Sequence, residues 1–296
     1  MSSPAESRIL VILNPSAQSE KAKRSIELIR SLSERLEIIE SHSFEQAHDL
    51  AEQAVAEKRP AVVAAGGDGT VNAVISGMVG GETTLGVFPT GTMNLFAREL
   101  GLPKNDLQGC WEVIESGATR DVDLFSANGQ VFVQLAGVGF DAQIIEETSW
   151  ERKKKFGPLS YVMSAFAVAG SKPPRLRVIP EDGDEVGGAF ALIGNGALYG
   201  PAYKVFKKAS NTDGLLDVIV FEKQKLFSIF RYLSGIGLGK VETMKGVTYL
   251  QTRSLRVECE EEVPVEVDGE LAGATPVDFL PMEQRLRVFA PPALVE

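Results

Sequence analysis

Val62-Val63-Ala64-Ala65-Gly66-Gly67-Asp68-Gly69-Thr70-Val71-Asn72 is an apolar run that stops at three glycines grouped around one aspartate, after which a helical pattern begins. Four apolar residues in a row fit a central parallel strand covered on both faces. Gly66, Gly67 and Gly69 let backbone N–H groups approach a ligand where any side chain would intrude, so the turn reads as a phosphate cradle. Thr70 is placed to cap the helix that runs through Val79, whose N-terminal donors and dipole would face the same anion. Asp68 adds a carboxylate among phosphates, which makes chemical sense with a divalent cation between them. The competing reading is a tight strand-to-helix turn with a surface aspartate, because glycine and aspartate populate turns freely.

Working outward, the preceding residues alternate in type. Arg8–Leu13 reads as a strand ending at Asn14-Pro15-Ser16, Glu20–Leu36 as a helix, Glu37–Ser41 as a strand and Glu45–Glu57 as a helix. The Ala61–Ala65 strand, the glycine turn with its helix, and a strand at Thr84–Phe88 follow. Strands separated by helices predict a parallel sheet, and ligands then gather at the carboxyl ends of its strands. Asn14-Pro15-Ser16, the glycine turn and Pro89–Asn94 all leave such ends.

From about Asp121 the texture changes to short alternating segments with glycine or aspartate turns. They are Gln130–Val138, Leu176–Ile179, Ala189–Ile193, Leu215–Phe221, Ser254–Cys259, Val263–Val267 and Arg285–Phe289, and they predict mostly antiparallel β structure. Helical stretches at Gly157–Ala169 and Lys225–Leu238 interrupt it, with apolar residues that suit a core. The boundary is expected near Asp121–Phe125, with the catalytic cleft between the halves.

Composition narrows the function. The chain has 296 residues, 44% apolar and 24% charged, the make-up of a folded globular protein with room for two domains. Acids outnumber bases 40 to 30, giving a formal net charge of −10, which argues against binding nucleic acid. The basic run Arg152–Lys155 is the exception; it reads as a solvated loop or as a contact with anionic lipid. Cys110 and Cys259 lie far apart with no metal spacing, so a reducing cytosol and no zinc site are expected. His42 and His48 have no metal partner at helical spacing and read as surface or packing residues. The first residues show no secretion signal, and no segment is apolar enough to span a bilayer.

Six segments in order carry a resemblance. GGDGTVN (Gly66–Asn72), GTMNLFARELGLP (Gly91–Pro103), Arg120-Asp121-Val122-Asp123, Gly139-Phe140-Asp141-Ala142, Asp213-Gly214-Leu215-Leu216-Asp217 and Asp268-Gly269-Glu270 together resemble the bacterial diacylglycerol kinase and YegS-like lipid kinase family, relatives of sphingosine kinases. The resemblance implies a doubly wound parallel α/β nucleotide-binding domain, residues 1–124, with residues 281–296 packing back on it. An antiparallel β-sandwich-like domain for the lipid substrate, residues 125–280, would follow.

It also implies an ATP- and Mg²⁺-dependent kinase that phosphorylates a hydroxyl of a membrane lipid, such as diacylglycerol, phosphatidylglycerol or a sphingoid base. No G-x-x-x-x-G-K-[ST] motif is present, so backbone N–H groups, hydroxyls and Mg²⁺ would hold the triphosphate. Asn14, Ser43, Gly66, Gly67, Asp68, Gly69, Thr70, Val71, Asn72 and Thr92 match the family's nucleotide positions, and Asp68 would orient ATP and its metal. Glu270 matches the proton acceptor, with Asp268 and Asp123 as supporting acids in a metal and water network. The Asp213 side chain and the carbonyls of Ser210 and Leu215 match a separate structural Mg²⁺ site. As plain alternatives, Asp268-Gly269 and Asp213-Gly214 are favoured turn pairs, and Asp141 could cap a helix. Ala73, Leu95 and the missing glycine after Asn14-Pro15-Ser16-Ala17 depart from the family pattern and leave the lipid open.

The expected setting is a cytoplasmic protein working peripherally at the inner membrane face, with the oligomeric state open, a homodimer included. Phe156, Tyr161, Phe166 and Phe230 are expected to wall an apolar groove in the β-rich half. Two other functions compete: a soluble-alcohol kinase such as a NAD kinase, and a non-catalytic lipid- or nucleotide-binding regulator, for which Ala73 is the sign.

Overall fold

In the computed structural model, residues 8–15, 20–147, 172–200 and 203–292 are described, and they divide into two units. One comprises Met1–Val122 with Glu283–Glu296, the other Asp123–Met282.

The first unit is built on the non-alternating apolar runs. β1 (Ile9–Leu13) and β3 (Ala61–Gly66) are buried at every residue, as strands covered on both faces must be. β2 (Leu36–Glu40) flanks β1 at the edge, β4 (Thr84–Pro89) follows β3, and all four run parallel. α1 (Glu20–Leu32) stops four residues before its predicted end. Leu36 pairs with Ile9 instead, and the N–H of Leu36 donates to the Ser33 carbonyl across the intervening turn. The sixfold sheet is completed by Leu286–Phe289, which pairs parallel with β4 and antiparallel with β5 (Thr119–Val122). That last strand, read in sequence with the alternating segments, belongs to the parallel sheet.

α2 (Phe44–Ala56) packs against α3 (Asp68–Met78) through small residues. Ala47, Ala51 and Ala54 are buried on α2, and a Cβ added to Gly77 would lie 2.2 Å from the His48 carbonyl oxygen. That approach seats α3, which starts at the glycine turn, closely against α2.

The second unit contains two six-stranded antiparallel sheets. One runs Val186–Gly188, Leu176–Pro180, Leu255–Glu258, Val277–Pro281, Phe125–Ala127, Gln130–Phe132; the other runs Val247–Thr252, Leu216–Phe221, Phe190–Gly194, Leu135–Val138, Pro264–Val267, Glu270–Ala274. Phe125, Phe132, Val257 and Phe279 from the first meet Val138, Val218 and Val265 from the second in one cluster, the signature of a sandwich. Fully burying each such side chain contributes about 1.5–3 kcal/mol. Leu216–Phe221 is buried at every residue rather than alternating, because its outer face is covered as well. There Phe190 stacks on Phe221 with centroids 4.4 Å apart, under Tyr232 and Ile236 of the Leu226–Gly237 helix. The predicted Gly157–Ala169 helix, Arg152–Lys155, Phe156, Tyr161 and Phe166 lie outside the described residues.

Candidate active site

In the first unit the glycine turn packs backbone to backbone on the loop after β4. The Gly66 carbonyl accepts from the N–H groups of Thr90 (3.0 Å) and Gly91 (3.2 Å), and a Cβ on Gly91 would stand 2.4 Å from the Gly67 Cα. Gly69 is different: it is exposed, and a Cβ there would meet nothing within 4 Å. The folded chain therefore makes no steric demand for glycine at 69.

Helix α3 begins earlier than expected. Its cap is Gly67 and Asp68 is its first residue, so Thr70 does not cap it. The N–H groups of Thr70 and Val71 donate back to the Gly67 carbonyl at 3.0 and 3.1 Å, while the Thr70 hydroxyl, buried under Gly66, accepts from Asn14 Nδ2 at 3.1 Å. Thr70 thus joins the β1 loop to the glycine turn. Val71 and Asn72 are buried, and the Asn72 Oδ1 has no hydrogen-bond partner among the described residues. Ala73 is fully buried against the core.

Asp68 faces the start of α4 (Leu95–Glu99), where its Oδ1 accepts from the Phe96 N–H at 3.4 Å. Burial pushes the Asp68 carboxyl above its ordinary value, and the N–H groups of Phe96, Leu95 and Asn94 oppose that rise. Asn94, not singled out from sequence, adopts a left-handed conformation (φ 51°) and its Nδ2 donates to the Gly91 carbonyl at 2.8 Å. Asparagine tolerates this conformation better than most residues, which was the available signal. Thr92 is exposed at the tip of the same loop. Pro89 and Thr90, at the start of that loop, line a recess of about 370 Å³ with Arg24, Ser25, Leu28 and Asn105. Ser43 stands after β2 as predicted, but its hydroxyl accepts from the Gln46 N–H at 3.1 Å as the cap of α2.

In the second unit Asp268 and Gly269 both have positive φ (48° and 88°) and form a two-residue turn that pairs Val267 with Glu270. Asp268 does more than turn the chain. Its carboxylate accepts the N–H groups of Val133 (2.9 Å), Gln134 (3.0 Å) and Leu135 (2.9 Å), and its own N–H donates to the Leu135 carbonyl (2.8 Å). These oxygens fasten the hairpin to the 133–135 segment. Glu270, the first residue of its strand, is exposed beside that fixed turn.

Asp123 is buried, and its Oδ2 accepts from the Gly214 N–H at 2.7 Å, while its N–H donates to the Asn211 carbonyl at 2.8 Å. Asn195, fully buried and not anticipated, donates Nδ2 to the Asp123 and Val133 carbonyls at 2.8 and 2.7 Å. Nothing local in sequence marks it, because both partners are more than sixty residues away. Asp213 Oδ1 accepts from the Leu215 N–H at 3.0 Å, and the Asp213 N–H reaches the Ser210 carbonyl at 3.3 Å. Burial and, after it, the neighbouring Asp123 charge raise the Asp213 carboxyl above its ordinary value.

Among the described residues, His48, Asp49 and Glu52 on α2 bring ligand atoms within 4.8 Å of one another, so the i,i+4 pair His48/Glu52 corrects the reading that His48 has no partner at helical spacing. Both cysteines are free. No helix among the described residues is long and apolar enough to cross a membrane.

Residues 8–127 match the family model of the diacylglycerol kinase catalytic domain, and residues 134–290 match that of the YegS C-terminal NAD kinase beta sandwich-like domain. The diacylglycerol kinase of Staphylococcus aureus strain RF122 is 31% identical over 97% of this chain and 94% of its own length. That of Bacillus subtilis strain 168 is 27% identical over 96% of each. A crystal structure of a diacylglycerol kinase from Bacillus anthracis, 24% identical, shares the fold with a TM-score of 0.78 over 98% of this chain and 99% of that one. With a family model spanning more than half its length and a relative above 30% identity along almost all of it, the chain belongs to the diacylglycerol kinase and YegS-like family and is a lipid kinase, a phosphotransferase.

Proposed function

We propose that this chain transfers the γ-phosphoryl group of ATP, with Mg²⁺, to a hydroxyl of a membrane-derived lipid: diacylglycerol, phosphatidylglycerol or a sphingoid-like alcohol. The observation that carries the nucleotide half is Gly69, an exposed glycine beside a half-buried carboxylate at a helix N-terminus, with open space where a side chain would be. A glycine the fold does not require is explained by a ligand that needs the room.

The nucleotide rests on the Gly66–Asn72 turn, with Asn14 and Thr92 on the flanking loops, Ser43 at the next strand end, and the base in the recess beside Thr90. Asp68 orients the bound nucleotide; the N–H groups of α4 hold its carboxylate in place. Magnesium, when bound, neutralises charge on the β- and γ-phosphates. Glu270 accepts the proton of the lipid hydroxyl as its oxygen bonds to the γ-phosphorus and the bond to the β-phosphate oxygen breaks, releasing ADP. Asp268 acts through Glu270 by fixing the turn on which it stands.

A second divalent ion suits the 210–215 turn. Hard oxygen donors are what such an ion takes, and a cation at Asp213, with the Ser210 and Leu215 carbonyls, would relieve the crowding of the Asp123 and Asp213 charges. The protein works peripherally, at the cytosolic face of the membrane.

The test is label transfer from γ-labelled ATP to a detergent-dispersed lipid extract, with glycerol and NAD as soluble-alcohol controls. Labelled lipid that requires Mg²⁺, and that disappears in Glu270→Gln, is expected. Labelled glycerol or NAD without labelled lipid, or a Glu270→Gln variant as active as wild type, would overturn the reading.

A further inference from the structure

The Leu226–Gly237 helix is apolar on two sides. Ile229, Tyr232 and Ile236 face the core, as an amphipathic helix requires. Its outer side carries Phe227 at 81% exposure, Phe230 at 54% and Leu233 at 53%, with Leu238 at 73% just past its end. Together with Leu226, five of the ten exposed large apolar side chains among the described residues fall within these thirteen positions. Isolated exposed leucines need no explanation, whereas a concentrated set marks an interaction surface.

Charge narrows the partner. Residues 223–245 contain Lys223, Lys225, Arg231, Lys240 and Lys245 against one acid, Glu242, so this segment carries a net +4 (five bases less one acid) in a chain of net −10. Lys223, Lys225, Lys240 and Lys245 are exposed. Arg231 and Lys240 line the same groove of about 510 Å³ as Phe227, Phe230 and Leu238. Aromatic and aliphatic side chains rimmed by bases on a helix lying at the surface suit the boundary of an anionic bilayer, where apolar groups enter the acyl region and ammonium groups meet phosphate. A second copy of this chain is the poorer occupant, because a twofold contact would set these bases against their own images.

We infer that the outer face of the Leu226–Gly237 helix, with its flanking lysines, is the surface by which this protein docks on anionic lipid bilayers. The inference builds on the lipid-kinase function only for the reason to visit a membrane, so its test omits ATP and reads binding alone. The full chain is sedimented with vesicles of phosphatidylcholine, pure or mixed equally with phosphatidylglycerol. Wild type partitions to the mixed vesicles in a salt-sensitive way and only weakly to the pure ones. Phe227→Gln with Leu233→Gln lowers partition to both at least tenfold. Lys225→Gln with Lys240→Gln lowers partition to mixed vesicles alone, by roughly fivefold per charge removed. Both variants keep the wild-type melting temperature and phosphorylate detergent-dispersed lipid at the wild-type rate, which separates docking from catalysis. Wild-type partition in both variants, no vesicle binding by wild type, or a Phe227→Gln/Leu233→Gln protein that changes from dimer to monomer by light scattering while still binding vesicles would overturn the assignment.

Discussion

Asp268 and Glu270 stand two positions apart and do different work, and substitution separates them. Asparagine at 268 keeps the positive φ that the turn requires, yet replaces one carboxylate oxygen with an amide donor facing a backbone N–H. A lost partner and a donor facing a donor cost about 2 kcal/mol, so Asp268→Asn should melt lower by roughly 4–8 °C for a protein of this size. Glu270→Gln, on an exposed side chain, should leave melting unchanged and lower turnover by about 10²–10⁴-fold. Scanning calorimetry beside label transfer reads both; equal melting losses in the two variants would refute the division. Asp217 supplies a pH test. Burial raises its carboxyl above the ordinary value, the Tyr249 hydroxyl and the Gln251 amide donate to it in opposition, and the charges of Asp213 and Glu242 raise it further. The folded chain then holds this proton more tightly than the unfolded chain. Its contribution is greatest below the ordinary aspartate range and declines as pH rises through the raised value. Asp217→Asn has no such proton, so wild type should lose stability relative to the variant as pH climbs through that window. A melting-temperature difference that stays constant with pH would show that Asp217 is not the group responsible.

At the level of elements, the two glycine-bearing loops of the first unit predict opposite phenotypes for the same change. Gly91→Ala drives a methyl group to 2.4 Å from the Gly67 Cα, so both loops must part and the protein should melt several degrees lower. Gly69→Ala meets no protein atom and should melt as wild type while binding nucleotide at least tenfold more weakly, measured by titration calorimetry. Wild-type affinity in Gly69→Ala would remove glycine 69 from the cradle. The parallel strands and the glycine turn were legible because their signals are local: uninterrupted apolar runs, then glycines, then helical periodicity. The Asp268-Gly269 pair was legible as a turn for the same reason. What stayed hidden is long-range. The three N–H groups that Asp268 accepts lie more than 130 residues before it, and Asn195 ties together the carbonyls of Asp123 and Val133, each more than sixty residues away. Ser43 was placed correctly after its strand, but position there could not say that its hydroxyl caps a helix. Alternation misled at Leu216–Phe221, where the covering helix removes the solvent face that alternation presupposes.

On the scale of the whole chain, the first unit is not finished until Leu286–Phe289 joins it. Every segment matched to nucleotide positions lies before residue 100, yet the sheet that carries them has Leu286–Phe289 inserted between β4 and β5. Leu286 and Val288 are buried there, Leu286 pairs with Val122, and Arg287 bonds Asp121 at 3.1 Å. Gln284 adds a link to the far end of α3: its Nε2 donates to the Gly81 carbonyl at 2.6 Å and its Oε1 accepts from the Gly80 N–H. Two buried aliphatic side chains contribute about 3–6 kcal/mol, comparable with the whole margin of about 5–15 kcal/mol by which a domain is stable. A chain ending at Met282 would also expose β4 and β5 as unpaired edges. It should therefore fail to bind ATP although every glycine of the cradle is present, while residues 123–282, a continuous segment with its own core, should still melt cooperatively. Calorimetry on the truncated chain, with and without nucleotide, reads both outcomes. Wild-type nucleotide affinity in the 1–282 chain would show that the first hundred residues hold the cradle unaided.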